Sequence, residues 1–120
     1  MPKKILIIED SPTVLAMLKD AIEKEGYEVV PAASGEEGLE KAEKGTLDLV
    51  IIDTLLPGID GFEVCRRFKR SQNTSEAKII IMTGSIDAVD AVEAVKAGAD
   101  DYCAKTGDFT ALIEAVKNMV

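Results

Sequence analysis

Three short runs of apolar, mostly β-branched residues punctuate the chain: Ile5-Leu6-Ile7-Ile8, Leu49-Val50-Ile51-Ile52 and Ile79-Ile80-Ile81-Met82. Each is too short for a helix, and no polar residue alternates within it. Strands read this way when both faces are covered, as in a parallel sheet between layers of helices. No other feature restricts the fold as strongly.

The segments between these runs carry helical spacing. Val14, Met17, Leu18, Ala21 and Ile22 recur at i, i+3, i+4, after the N-cap and N1 pair Ser11-Pro12 and before Gly26. Ser34 and Glu37 form a capping box for a second helix, acidic at its start (Glu36, Glu37, Glu40), basic at its end (Lys41, Lys44) and stopped by Gly45. Asp60 caps a third helix running to about Arg70. An Ala/Val-rich fourth runs from about Asp87 to Ala97, before Gly98. A fifth begins near Asp108, with Phe109, Leu112, Ile113 and Val116 on one face.

Two weaker strands complete the alternation. Tyr27 to Ala33 contains Pro31, which lacks a ladder donor and belongs on an edge. Asp101 to Ala104 is short and flanked by charge, also edge-like. Five strands alternating with five helices predict an α/β, doubly wound five-stranded parallel sheet. With the second and fifth strands at the edges, right-handed crossovers leave the order 2-1-3-4-5.

Composition narrows the function classes. The 120 residues are 47% hydrophobic and 30% charged, which fits one globular domain spanning 1–120. The formal net charge of −8 opposes direct binding to nucleic acid or to an anionic membrane surface. The chain has no histidine, so histidine general bases and histidine-ligated zinc are excluded. Cys65 and Cys103 lack CxxC spacing and read as packed side chains in a reducing cytoplasmic compartment. The run Ile5–Ile8 is too short for a signal-peptide core or a membrane span. Arg66, Arg67, Lys69 and Arg70 form the only basic run and read as a solvated helix face.

In an open α/β sheet the ligand crevice lies beyond the carboxyl ends of the strands, where strand order reverses. There the sequence places Glu9-Asp10 after the first strand, Asp53 after the third, Thr83 after the fourth and Lys105 after the fifth. Any one of these is an ordinary strand terminator; five at one rim are not. Clustered carboxylates repel and raise the pKa of at least one member. A hard divalent cation relieves this: Mg²⁺ takes one or two carboxylates plus waters and leaves room for a phosphate. Lys105 is then the natural partner of a phosphoryl oxygen.

These residues give the chain a family resemblance along essentially its whole length. It resembles the receiver domain of two-component response regulators, including the chemotaxis type. The matching segments are Ile5-Leu6-Ile7-Ile8-Glu9-Asp10, Asp53-Thr54-Leu55-Leu56-Pro57-Gly58-Ile59-Asp60-Gly61, Met82-Thr83-Gly84 and Gly98-Ala99-Asp100-Asp101-Tyr102-Cys103-Ala104-Lys105. The resemblance implies a flavodoxin-like three-layer sandwich. It also implies a signalling switch that is not an enzyme beyond its own phosphotransfer and dephosphorylation.

Residue by residue, the resemblance makes Asp53 the phosphoacceptor for a sensor histidine kinase or phosphotransfer protein. Asp10 and Asp53 would ligate Mg²⁺, Glu9 would act through water, and the Leu55 carbonyl would supply a backbone oxygen. Lys105 and Thr83 would contact the phosphoryl oxygens, with Gly84 leaving room for their approach. Tyr102 stands where the family carries its switch aromatic, although a half-buried tyrosine on an edge strand reads identically from the residues alone. The face of helix 4, strand 5 and helix 5 would meet a downstream effector, in a monomer or weak dimer.

Two departures from the family pattern carry expectations. Thr106 stands where the family usually has a proline after the lysine. A cis bond before a non-proline residue costs about 2.5–4 kcal/mol, so Lys105–Thr106 is expected to be trans with the ammonium still reaching the pocket. Leu55 and Ser85, two places beyond Asp53 and Thr83, occupy positions that tune acyl-phosphate lifetime. Apolar Leu55 cannot orient a hydrolytic water, which implies slow self-dephosphorylation.

Three other readings compete. A Mg²⁺-dependent phosphohydrolase with Asp53 as nucleophile would need an acid two places along, where Leu55 stands, and a substrate cap. A degenerate, binding-only receiver is disfavoured because all five pocket residues are present. Flavin binding lacks a phosphate loop after the first strand.

Overall fold

The computed structural model describes residues 2–84, 88–105 and 109–120, with the backbone alone for Ala88 and Val89. Among the described residues, β1 (Lys4–Ile8), β2 (Glu28–Ala32), β3 (Leu49–Asp53), β4 (Lys78–Thr83) and β5 (Asp101–Ala104) alternate with α1 (Pro12–Glu23), α2 (Gly35–Ala42), α3 (Gly61–Arg70), α4 (Ala88–Ala97) and α5 (Thr110–Met119). All strand pairs are parallel, and the order is β2-β1-β3-β4-β5, as the sequence predicts.

The apolar runs are central because each strand feeds two cores. Ile5, Ile7, Leu49, Ile51, Ile80 and Met82 pack towards Leu18 and Ile22 of α1 and Leu112 and Val116 of α5. Leu6, Ile8, Val50, Ile52, Ile79 and Ile81 face the other way, towards α2, α3 and α4, around Val64, Phe68 and Ala94. The result is a three-layer sandwich. Each buried Ile or Leu contributes about 1.5–3 kcal/mol, so the central strands fix the register of the whole sheet.

The caps define the entry angles of the helices. Ser11 Oγ accepts from the Val14 N–H at 3.3 Å, with Pro12 at N1 of α1. Asp60 Oδ1 accepts from the Glu63 N–H at 2.9 Å and opens α3. The Ser34–Glu37 box is a variant: Ser34 Oγ accepts from the Glu37 N–H, but the Glu37 carboxylate takes the N–H of Ala33, one residue before the cap. α2 ends at Ala42, three residues ahead of the predicted stop at Gly45.

Two helix expectations change. Met17 lies outward and about half exposed, and Leu15 takes its place against the core beside Val14. Phe109 precedes α5, at the N-cap, in left-handed backbone (φ 58°), with its ring buried among Leu112 and Val116. The predicted starts at Asp87 and Asp108 lie outside the described residues.

The basic run on α3 is largely neutralised. The Glu63 carboxylate holds Arg66, Arg67 and Arg70, and Lys69 pairs with Asp100. Cys65 and Cys103 are both buried and free on opposite faces of the sheet, which prevents their pairing. Burial pushes each thiol up to about 11. Among the described residues, no helix is long and apolar enough to cross a membrane.

Candidate metal and phosphoryl site

The site forms where β1 and β3 lie side by side and their following segments diverge. Glu9 follows β1 directly, and its N–H extends the ladder to the Ala32 carbonyl at 3.0 Å. Asp53 is the last residue of β3 and stands in register with Met82 of β4. Thr83 closes β4, and its carbonyl accepts from the Lys105 N–H at 2.6 Å. Backbone ladders therefore deliver all these side chains to one rim.

One ligand oxygen from each of Glu9, Asp10 and Asp53 lies within 4.8 Å of the others. Their burial differs: Glu9 and Asp53 are buried, and Asp10 is exposed at the mouth. Lys105 reaches across from beyond β5, its Nζ 2.9 Å from Glu9 Oε2 and 3.1 Å from Asp53 Oδ2. That satisfies the expectation that its ammonium reaches the pocket; the isomer of the Lys105–Thr106 bond lies outside the described residues. The other Glu9 oxygen accepts from the Ser11 N–H at 3.1 Å. The Leu55 N–H points at Asp53 Oδ1 across 3.4 Å.

Burial is the main cause that raises the Glu9 pKa; the Lys105 ammonium opposes it and neighbouring Asp53 adds to it. One member of the cluster is thus raised, as the sequence predicts, with burial outranking repulsion from Asp53 as the cause. For Lys105, burial pulls the pKa down, but hydrogen bonds to Glu9 and Asp53 prevail and raise it. The ammonium is therefore held charged as a built-in counterion. Three oxygen donors converging with unequal exposure suit a hard divalent ion, since Mg²⁺ retains several waters and needs an open side.

The remaining predicted residues differ in exposure. Thr83 is buried, whereas Gly84 is exposed, with nothing among the described residues within 4 Å of where a Cβ would stand. Leu55 is 79% exposed. Tyr102 is half-buried against the core on the α2–α4 side, and its hydroxyl is buried with no hydrogen-bond partner among the described residues. Ser85 lies outside the described residues.

Sequence reasoning missed one residue that positions Asp53. A Cβ on Gly61 would stand 2.2 Å from the Asp53 carbonyl oxygen, so only glycine lets the start of α3 close on the end of β3. The Gly61 N–H also bonds the Thr54 carbonyl at 3.2 Å. The signal available was a glycine directly after a capping Asp60, a position where many residues would serve equally well for the cap.

Fold and site together define a doubly wound α/β protein with a carboxylate-rich switch-point pocket containing one lysine. The family model of the response regulator receiver domain matches residues 5–117, and the chain belongs to that family. It is 43% identical over 101 residues to the transcriptional regulatory protein AfsQ1 of Streptomyces coelicolor, covering 84% of this chain and 44% of that protein. Over 117 residues it is 38% identical to the response regulator ArlR of Staphylococcus saprophyticus, covering 98% and 52%. The chain thus spans about half the length of these curated relatives. The crystal structure of the response regulator TrrA from Thermotoga maritima, in complex with Mg²⁺ and BeF, superposes with a TM-score of 0.89. That pair shares 37% identity, covering 98% of this chain and 99% of the other.

Proposed function

We propose that this domain is a phosphoacceptor switch in which Asp53 receives a phosphoryl group from a histidine of a sensor kinase or phosphotransfer protein. One observation carries the reading: Lys105, Glu9 and Asp53 meet in a pocket whose third carboxylate, Asp10, stays open to solvent. An Asp53 oxygen attacks phosphorus, the P–N bond of the phosphohistidine breaks as the P–O bond forms, and the imidazole nitrogen takes up a proton. Phosphoryl transfer is chiefly positioning and charge neutralisation, so no histidine of the domain's own is required.

Asp10 and Asp53 would hold Mg²⁺, with Glu9 and the Leu55 carbonyl as supporting oxygens. When bound, Mg²⁺ neutralises the carboxylates and the incoming phosphoryl oxygens. Lys105 turns from Glu9 and Asp53 to the phosphoryl group, and Thr83 donates its hydroxyl to it. Gly84, lacking a side chain, leaves room for the donor's approach.

The output lies on the face of α4, β5 and α5, with Tyr102 reporting the state of Thr83. The Tyr102 hydroxyl, buried without a partner among the described residues, supports a ring not fixed there by a hydrogen bond. Moving a population from 1:99 to 99:1 takes about 5.5 kcal/mol, which a few charge-assisted contacts supply. The domain spans 1–120, works in the cytoplasm as a monomer or weak dimer, and passes its signal to an effector protein or domain. Leu55 makes self-dephosphorylation slow. Mg²⁺-dependent labelling by a small phosphodonor tests the proposal: the wild type takes up label, and Asp53→Asn does not. Undiminished labelling of Asp53→Asn overturns it.

A further inference from the structure

The acidic pocket occupies the carboxyl end of the sheet; a second concavity of opposite character lies towards the other end. α2 is only 8 residues long and stops at Ala42, and the concavity lies beside its carboxyl end. The cavity there, about 280 Å³, is lined by Lys4, Val30, Lys41, Lys44, Gly45 and Leu47. Three of these are cations and none is a carboxylate, on a chain whose formal net charge is −8. A neighbouring cavity that shares Lys4 is lined by Lys3, Glu28 and Asp48 and has no such bias.

The cations are not equivalent. Lys41 is held in place, its ammonium bonded to the Pro31 carbonyl and paired with Glu37 at 2.9 Å. Lys4 has only a long pairing with Glu28, at 3.5 Å. The ammonium of Lys44 has no partner among the described residues. Val30 and Leu47 are incompletely buried and give the cavity an apolar wall.

We propose that this cavity binds a small organic anion with an apolar body. The apolar part lies on Val30 and Leu47, and the anionic group sits between the ammoniums of Lys41 and Lys44, with Lys4 adding its field. Burying the apolar part beside cations gains from both interactions, and neither half of such a ligand would be held alone. The site is separate from Asp53 and does not depend on phosphorylation.

Titration with hexanoate, followed by ¹H–¹⁵N NMR at constant ionic strength, tests this, with acetate and hexan-1-ol as comparisons. The expected result is a saturable shift of the amides of Val30, Lys41, Lys44 and Leu47 with hexanoate, and binding at least about 5-fold weaker for each comparison compound. Lys44→Gln, on an exposed side chain, weakens hexanoate binding about 5-fold, as loss of one partly exposed ion pair does. The proposal is overturned by absence of saturable shifts at these amides, by hexan-1-ol binding as well as hexanoate, or by Lys44→Gln leaving the affinity unchanged.

Discussion

The ammonium of Lys105 lies 3.1 Å from Oδ2 of Asp53, joining the segment after β5 to the end of β3 across the width of β4. The same Nζ stands 2.9 Å from Glu9. One cation thus screens two buried carboxylates at the centre of the pocket.

Removing that cation exposes the cost it offsets. Lys105→Met leaves Glu9 and Asp53 buried and facing one another. In EDTA the variant is expected to lose about 1–3 kcal/mol of unfolding free energy, the range for stranding a buried polar group. Millimolar Mg²⁺ supplies a replacement charge and recovers part of the loss. Urea denaturation with and without Mg²⁺ measures both quantities; an identical loss in the two conditions would contradict this assignment of charges.

Gly61 is the steric counterpart of this electrostatic arrangement. In Gly61→Ala the new methyl would stand 2.2 Å from the Asp53 carbonyl oxygen, so backbone must shift. Overpacking of this kind costs about 1–3 kcal/mol. Because the shift falls on Asp53 itself, phosphodonor labelling should fall along with stability. A variant with unchanged melting and labelling would show that α3 closes on β3 less tightly than described.

Glu37 supplies a pH dependence whose sign follows from its contacts. The Ala33 N–H, followed by Lys41, holds its carboxyl below the ordinary value. A lowered folded-state pKa contributes stability above the unfolded value and loses it as pH falls through the folded one. Glu37→Gln should therefore cost about 0.5 kcal/mol at neutral pH, a small figure because the pair is partly exposed and solvent-screened. The gap between variant and wild-type melting temperatures should close in acid. A gap independent of pH would assign the effect to packing.

The thiols should be silent in the native state. Cys65 and Cys103 are buried, and burial raises each to about 11. At neutral pH a thiol-reactive disulfide reagent should label neither rapidly, and denaturant should release both. Fast native-state labelling at either site would contradict the described packing.

Much of this molecule was legible in the residues. The central strands announced themselves because burial on both faces removes alternation, and Ser11, Ser34 and Asp60 marked helix starts because each caps a free N–H. The pocket was legible for a related reason: strand-end residues converge once the strand order is known. Periodicity could not place Met17, which sits at the edge of the apolar stripe of α1, where a small rotation decides between solvent and core. Nor could it show that Phe109 stands outside α5 in left-handed backbone, because an aromatic at helical spacing looks the same on either side of a cap. The closeness of Gly61 to Asp53 is a tertiary distance with no local signature. The inward reach of Lys105 to Glu9 depends on burial, which composition does not encode.

The most direct measurement locates the phosphoryl group itself. After reaction with a small phosphodonor and Mg²⁺, borohydride reduction of the acyl phosphate followed by peptide mass mapping marks the acceptor carboxylate. Reduction is expected at Asp53 alone. Reduction at Glu9 or Asp10, or a phosphoryl group on a hydroxyl side chain, would contradict it.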